Sequence, residues 1–373
     1  LLGITVAGAL LGGGTTIDAF AQTTPPVEEE LVLLSTIPKR MSDAALEAFK
    51  AFAAKKWQIS IKTSSLHAGT PVAYGRVIEW KGNPEADIFW GGESALYDDL
   101  AAKGLLEKLS LPRVVWEAIP ANIAKPKPIP VRDPNGFWVG SAFQVYGLVY
   151  NERLIERLGV SVNDWDDLLN PKVKGNVVQC APTRSSSSHV LYEIFLQELG
   201  VENGWRWLER LAGQTGLFTA RSRDVPAVVA KGEFAIGFAV PSIGAFDERL
   251  AGFPIRFVFA RNSYVAPEVW GMLKGSKHPK AARAFLEFML GEEGQRALMR
   301  IGLAPISPRH RIGGPPGSVE ENAVEFMGGI RSFYDIAVRN VYDDNVARSR
   351  YQEVNEIYRK TIEARWEELK RRY

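Results

Sequence analysis

A chain of 373 residues exceeds the roughly 250–300 at which one hydrophobic core stops growing, so two lobes or domains are expected. A net charge of +2, from 45 Lys and Arg against 43 Asp and Glu, excludes the strongly basic surface of a nucleic-acid binder. The single Cys180 excludes an intramolecular disulfide and any zinc site built from several cysteines.

The chain opens on "LLGITVAGALLGGGTTIDAFAQTTPP". An apolar stretch from Leu1 to Leu11, then Ala19, Phe20 and Ala21 ahead of Gln22, reads as the end of a signal peptide over residues 1–21, cleaved after Ala21. A flexible tail over 22–30 is expected to follow. No cysteine stands at the cleavage site for a lipid, and no later stretch reaches the 18 or more apolar residues of a membrane span, so a free, soluble, exported protein is expected, with the periplasm as its place in view of the resemblance given below.

"ELVLLST" then reads as a strand, and "DAALEAFKAFAAKKW" as a helix with Leu46, Phe49 and Phe52 on one face. "WQISIKTSS" reads as a strand, "GTPVAYGRVIEWKG" as a helix and "ADIFWGGES" as a short buried strand. Strands alternating with helices at this spacing predict a mostly parallel sheet. The proline-rich "AKPKPIPVRDP" predicts an extended edge segment. "FWVGSAFQVYGLVYNERL" is a long β-prone run able to cross between lobes, and "IRFVFARNSYVAPEVWGMLKGS" brings the chain back. Between them "WDDLLNPKVKGNVVQCAP" reads as helix, turn and strand, and further helices and one strand follow to Ser242. "HPKAARAFLEFMLGEEGQRALMRIG" is helical, and from Val319 to Tyr373 a stripe of Val354, Ile357, Tyr358, Ile362, Trp366 and Leu369 predicts helix packed on its own protein.

Several stretches resemble the extracellular solute-binding proteins of ABC importers. They are "EADIFWGGESALYDDLAAKGLLEKL" (86–109), the 143–177 region, "VVAKGEFAIGFAV" (228–240) and "LKGSKHPKAARAFLEFMLGEEGQRALMRIGLAPI" (273–306). The likeness is greatest to the branch of ferric-ion, 2-aminoethylphosphonate and sugar-phosphate binders. It implies an α/β, two-lobed periplasmic-binding-protein fold of type II, each lobe a mostly parallel sheet with flanking helices, joined by two hinge strands. The first lobe would comprise 31–142 and 259–373, including a C-terminal helical extension, and the second 143–258. It also implies a monomer without cofactor or catalysis that closes on a small solute and hands it to a membrane permease and its ATPase.

In this architecture ligands lie beyond the carboxyl ends of the strands. The candidate loops there offer Ser35, Thr36 and Lys39, then Gly69 and Thr70, then Gly91, Gly92 and Glu93. Arg40 reads as part of a solvated turn, and Thr70 equally as a helix cap. The second lobe offers Thr183, Arg184, Ser185, Ser186 and Ser187, then Arg221, which reads nearly as well as a surface ion pair, then Pro241 and Ser242, with Tyr264 near the second hinge.

Four serines ahead of "HVLYEIF" admit three readings: a flexible linker, a nucleophile with His189 as base, or a helix start holding an anion. The run is short for a linker and lacks a G-x-S-x-G elbow. As a helix N-terminus it combines unpaired N–H groups, the positive end of the macrodipole and hydroxyl donors, which suits a phosphate, phosphonate or carboxylate. A merely capped helix is the alternative. The ferric members of the resembled branch use adjacent tyrosines where this chain has Pro241 and Ser242, so a ferric ion or other cation ranks second to a small anion and an exported hydrolase third. The four histidines lack metal-ligand spacing, and no metal site is expected.

Overall fold

In the computed structural model, which describes residues 27–373, the first apolar run becomes β1 (Glu30–Ser35). The signal-peptide reading of residues 1–21 and most of the expected tail lie outside the described residues. The remainder of that tail is tied down: Val27 is buried, and the Glu28 carboxylate accepts a 2.7 Å hydrogen bond from the Ala281 N–H. The first lobe therefore starts earlier than residue 31.

α1 (Lys39–Trp57) buries Met41, Ala45, Leu46, Phe49 and Ala53, the three-and-four spacing of an amphipathic helix, and ends at Gln58 in left-handed conformation. β2 (Lys62–His67), α2 (Thr70–Trp80), β3 (Ile88–Trp90) and α3 (Ser94–Ala102) follow. β1 pairs parallel with both β2 and β3, as the alternation of strand and helix predicts. The proline-rich stretch contributes two two-residue strands, β4 (Lys125–Pro126) and Ile129–Pro130, the latter paired with Asn122–Ile123.

The first crossing is β5 (Val139–Asn151), almost wholly buried. In the second lobe lie β6 (Val177–Cys180), α4 (Ser186–Leu199), α5 (Val201–Gln214), β7 (Thr215–Thr219), β8 (Ile236–Pro241), α6 (Ser242–Leu250) and β9 (Ile255–Val258). The helix expected at "WDDLL" is a single 3-10 turn, Trp165–Leu169, stopped by the Asn170-Pro171 step. β10 (Tyr264–Leu273) returns antiparallel along β5, with Tyr264 opposite Tyr146 and Trp270 opposite Val139. The sheet runs β7-β6-β8-β5-β10-β3-β1-β2, so the two crossing strands sit at its centre and join the parallel strands of both lobes.

α7 (Pro279–Leu290) and α8 (Glu292–Arg300), parted at Gly291, complete the first lobe. α9 (Val319–Phe326) contacts α6 of the second lobe, with Phe326 against Phe246 at 5.2 Å between ring centroids. A third crossing then appears. β11 (Arg339–Asn340) pairs with β4, and Asp343, salt-bridged to Lys127 at 2.5 Å, receives and donates backbone hydrogen bonds with Gln197 of α4 at 3.2 and 2.7 Å.

Beyond it, α10 (Asp344–Ser349), α11 (Tyr351–Tyr358) and α12 (Trp366–Arg372) run back along α4 and α5. Val354, Tyr358, Ile362 and Leu369 are buried in the same cluster as Tyr192, Trp205 and Leu208. The Trp366 Nε1 donates to the Ala212 carbonyl at 3.1 Å, and Gln214 bonds the Tyr373 carbonyl at 3.3 Å. The expected assignment of the whole of 259–373 to the first lobe is thus corrected: its last thirty or so residues belong with the second. The apolar stripe was legible, but its partner surface was not, since periodicity names the buried face and not what covers it.

Candidate functional site

Three loops at the carboxyl ends of β1, β2 and β3 touch one another. Gly91 and Gly92 have φ of +100° and +92°, a region L side chains rarely adopt. A Cβ on Gly91 would stand 2.3 Å from Thr36 Oγ1, and one on Gly92 would stand 2.9 Å from Thr70 Cγ2. The glycines are therefore what lets the Thr36, Thr70 and Glu93 loops converge. The buried Tyr97 hydroxyl lies 3.0 Å from the Gly91 carbonyl and 3.1 Å from that of Phe89, fixing the turn from beneath.

Not every predicted residue of this lobe is presented. Ser35 is fully buried and its Oγ accepts from the Ile37 N–H at 3.2 Å, so it shapes the turn rather than facing a ligand. Lys39 pairs with Asp43 on its own helix at 2.6 Å. Gly69 is exposed at the α2 N-terminus, and its carbonyl accepts from Ala73. Arg40, read as solvated, pairs with Asp247 of α6 and so bridges the lobes.

Glu93 is open to solvent, yet the protein walls around it raise its carboxyl above the ordinary value, with Asp344 adding and Arg348 opposing. That combination marks a group inside a cleft. Beneath it the hinge strands carry Glu268, only 8% exposed, whose carboxyl is pushed up to about 7, chiefly by burial and against hydrogen bonds from Gly92 and Gln144. Gln144 Nε2 donates to Glu268 at 2.6 Å and lies 2.9 Å from the Tyr146 hydroxyl. Tyr146 stacks on Tyr264 at 6.1 Å, and Tyr264 meets Tyr342 at 5.5 Å. Burial raises the pKa of all three phenols, so they remain hydroxyl donors at neutral pH.

Pro241 lies opposite Tyr146 in the sheet. Ser242 is 2% exposed, and its Oγ accepts from the Val145 N–H at 3.2 Å, so it braces the hinge instead of offering a donor.

The second lobe gathers the serine run. Ser185 caps α4 by accepting from the Ser188 N–H at 3.3 Å. Its Oγ lies 2.9 Å from that of Ser187, which lies 3.3 Å from that of Ser222. Ser186 begins the helix and Thr183 is half-buried just ahead of it. The two flanking arginines are engaged elsewhere: Arg184 contacts Glu363 at 3.4 Å, and Arg221 clamps Asp224 with two bonds of 3.1 and 3.0 Å.

His189 is not assembled with a serine. It is 3% exposed, its ring nitrogens have no well-formed hydrogen bond among the described residues, with Asn355 near them, and its ring lies 4.2 Å from that of Tyr351. Burial lowers its pKa, against the opposing charge of Glu193 and with help from Arg350. The unfolded chain, with an ordinary histidine near about 6.5, therefore binds the proton first as pH falls. Stability held above that pH should be lost on the way down to the folded pKa. Urea unfolding at pH 7.5 and 5.0 is expected to show a larger drop for the wild type than for a His189→Gln variant.

The structure thus brings Thr36, Thr70, Gly91, Gly92, Glu93 and Tyr264 together on one wall. In the second lobe it gathers Ser185, Ser187 and the Ser222 turn next to Arg221, with Thr183 just ahead in the chain. Among the described residues, no hydrogen bond or ion pair joins the two groups, and no three His, Cys, Asp or Glu side chains converge to hold a metal. Sequence reasoning missed Gln144, Tyr146, Glu268, Tyr342, Asp344 and Arg348. A lone glutamate in the apolar run "YVAPEVWGML" was the available signal for Glu268.

Comparison with known proteins agrees with this fold. A model of the bacterial extracellular solute-binding proteins matches residues 83–323. The phosphoglycerate transport regulatory protein PgtC of Salmonella typhimurium is 30% identical over 196 residues, 52% of this chain and 48% of that protein. The chain therefore matches about half the length of that curated relative. Two solved structures share the fold. The periplasmic binding protein AfuA of Actinobacillus pleuropneumoniae, described with fructose-6-phosphate bound, is 18% identical with a TM-score of 0.58 over 90% of this chain and 99% of that one. Iron-bound HitA of Pseudomonas aeruginosa is 20% identical with a TM-score of 0.63 over 88% and 99%. With crossing strands between two α/β lobes, converging loops on both walls and a family match over most of its length, the chain belongs to the bacterial extracellular solute-binding proteins.

Proposed function

We propose that the protein is the periplasmic receptor of an ABC importer, binding without transforming it a small organophosphate, phosphonate or carboxylate between its lobes and delivering it to the permease. The observation that carries this reading is the N-terminus of the 14-residue α4, where the Ser185, Ser187 and Ser222 hydroxyls cluster at 2.9 and 3.3 Å. Unpaired N–H groups, the helix macrodipole and several hydroxyls at one point favour an anion's oxygens. The naming of PgtC for phosphoglycerate and the fructose-6-phosphate of AfuA support the same class.

The test is thermal stability against 3-phosphoglycerate, fructose 6-phosphate, an alkylphosphonate and a dicarboxylate. A true ligand at 100 times its Kd adds about 2.7 kcal/mol. A Ser185→Ala/Ser187→Ala variant should respond less to that compound. No response from the wild type to any of the four would sink the anion reading.

A cation is the second reading, favoured by the oxygen-rich wall of Glu93, Glu268, Tyr146 and Tyr264. HitA, described as iron-bound, shares the fold. Metal analysis after native purification separates the two: stoichiometric iron would replace the anion reading, and a retained phosphorylated compound would uphold it.

A further inference from the structure

The family match ends at residue 323, yet the cleft does not. The third crossing brings Tyr342 against Tyr264, and the Tyr342 hydroxyl reaches Asp344 at 3.4 Å. One turn on, Arg348 pairs with Asp344 at 2.6 Å, both side chains largely exposed at 57% and 42%. The segment is held firmly behind them by Gln197 on one side and by the Arg350–Glu193 pair on the other.

The cations that sequence reasoning favoured pair with Asp43, Glu363 and Asp224, none of which, among the described residues, is hydrogen-bonded to Tyr264 or Tyr342. Arg348 is different. Its partner Asp344 accepts from the Tyr342 hydroxyl, and the Tyr342 ring meets that of Tyr264, so the pair lies beside the tyrosines of the crossing strands. An exposed pair one helical turn apart is among the weakest ion pairs, so Asp344 is a partner that a better acceptor can displace. A guanidinium offers a planar fork matched to a phosphate or carboxylate, whereas Asp344 uses only part of it.

We propose that Arg348 is the ligand-binding cation of the cleft, leaving Asp344 to take the anionic group of the solute, so that a segment beyond the family-matching core sets specificity. This inference rests on the anion reading above. Asp344 is then a competitor for the guanidinium in the empty receptor.

The two members of the pair should act with opposite sign. With whichever compound of the anion panel stabilises the wild type, calorimetry should find binding weakened ~10-fold or more in Arg348→Ala, partly restored in Arg348→Lys, and strengthened a few-fold in Asp344→Asn. The unliganded melting temperature should barely change in all three. If both Arg348→Ala and Asp344→Asn weaken binding alike, or Arg348→Ala binds as the wild type does, Arg348 is not the ligand's partner, while the anion reading stands. If the wild type binds no compound of the panel, the anion reading fails and this inference falls with it.

Discussion

Replacing Arg350 with alanine is expected to lower the stability of the second lobe by about 3–5 kcal/mol, the cost of stranding a buried charge. Glu193 is fully buried in α4, and Arg350, 18% exposed, reaches it with bonds of 3.0, 3.1 and 2.6 Å. Removing the guanidinium leaves a carboxylate inside the protein whose one remaining donor among the described residues is the Gln197 side chain, 3.1 Å away. Removing both charges is a different matter: an apolar pair of similar volume often matches or exceeds a buried ion pair. An Arg350→Met/Glu193→Leu protein should therefore recover most of the loss. Calorimetric unfolding of the three proteins checks this. A single variant as stable as the wild type would show that the C-terminal segment is not fastened here.

Gly91→Ala is expected to damage binding and stability together. A side chain at φ +100° costs on the order of 1–2 kcal/mol, and the added Cβ would lie 2.3 Å from Thr36 Oγ1. Relief requires that the β1 or β3 loop move, and overpacking of this kind costs about 1–3 kcal/mol more. The loops that would move carry Thr36, Thr70 and Glu93, so affinity should fall at least as steeply as stability. Thermal unfolding with and without a bound compound separates the two effects. A Gly91→Ala protein with wild-type affinity would place the ligand away from this wall.

The alternation of strand and helix, the two β-prone crossings and the serine-capped start of α4 were all readable, because each is a local pattern with its own period or cap. The walls of the cleft were readable only in part. Gly91 and Gly92 announced a close approach, and Glu93 stands where that turn places it. Ser35 and Ser242 looked like ligand donors, but each satisfies a neighbouring backbone N–H, a choice fixed by tertiary contacts. Lys39, Arg184 and Arg221 looked like free charges. Each found a carboxylate, two within four residues on the chain and one, Glu363, almost half the chain away. Tyr342, Asp344 and Arg348 were out of reach for a simpler reason. Nothing in a helical, charged stretch says that it returns to a site built by residues more than two hundred positions earlier.

The routing of the chain has a practical consequence. Val27 and Glu28 are anchored on the first lobe, whereas Tyr373 is bonded to α5 of the second. The two ends of the described chain thus sit on opposite lobes, Glu28 through its carboxylate on the Ala281 N–H and Tyr373 through its carbonyl on the Gln214 side chain. A donor and an acceptor fluorophore placed there would test the proposed closure directly, since approach of the two lobes on a solute would change the energy transfer between them.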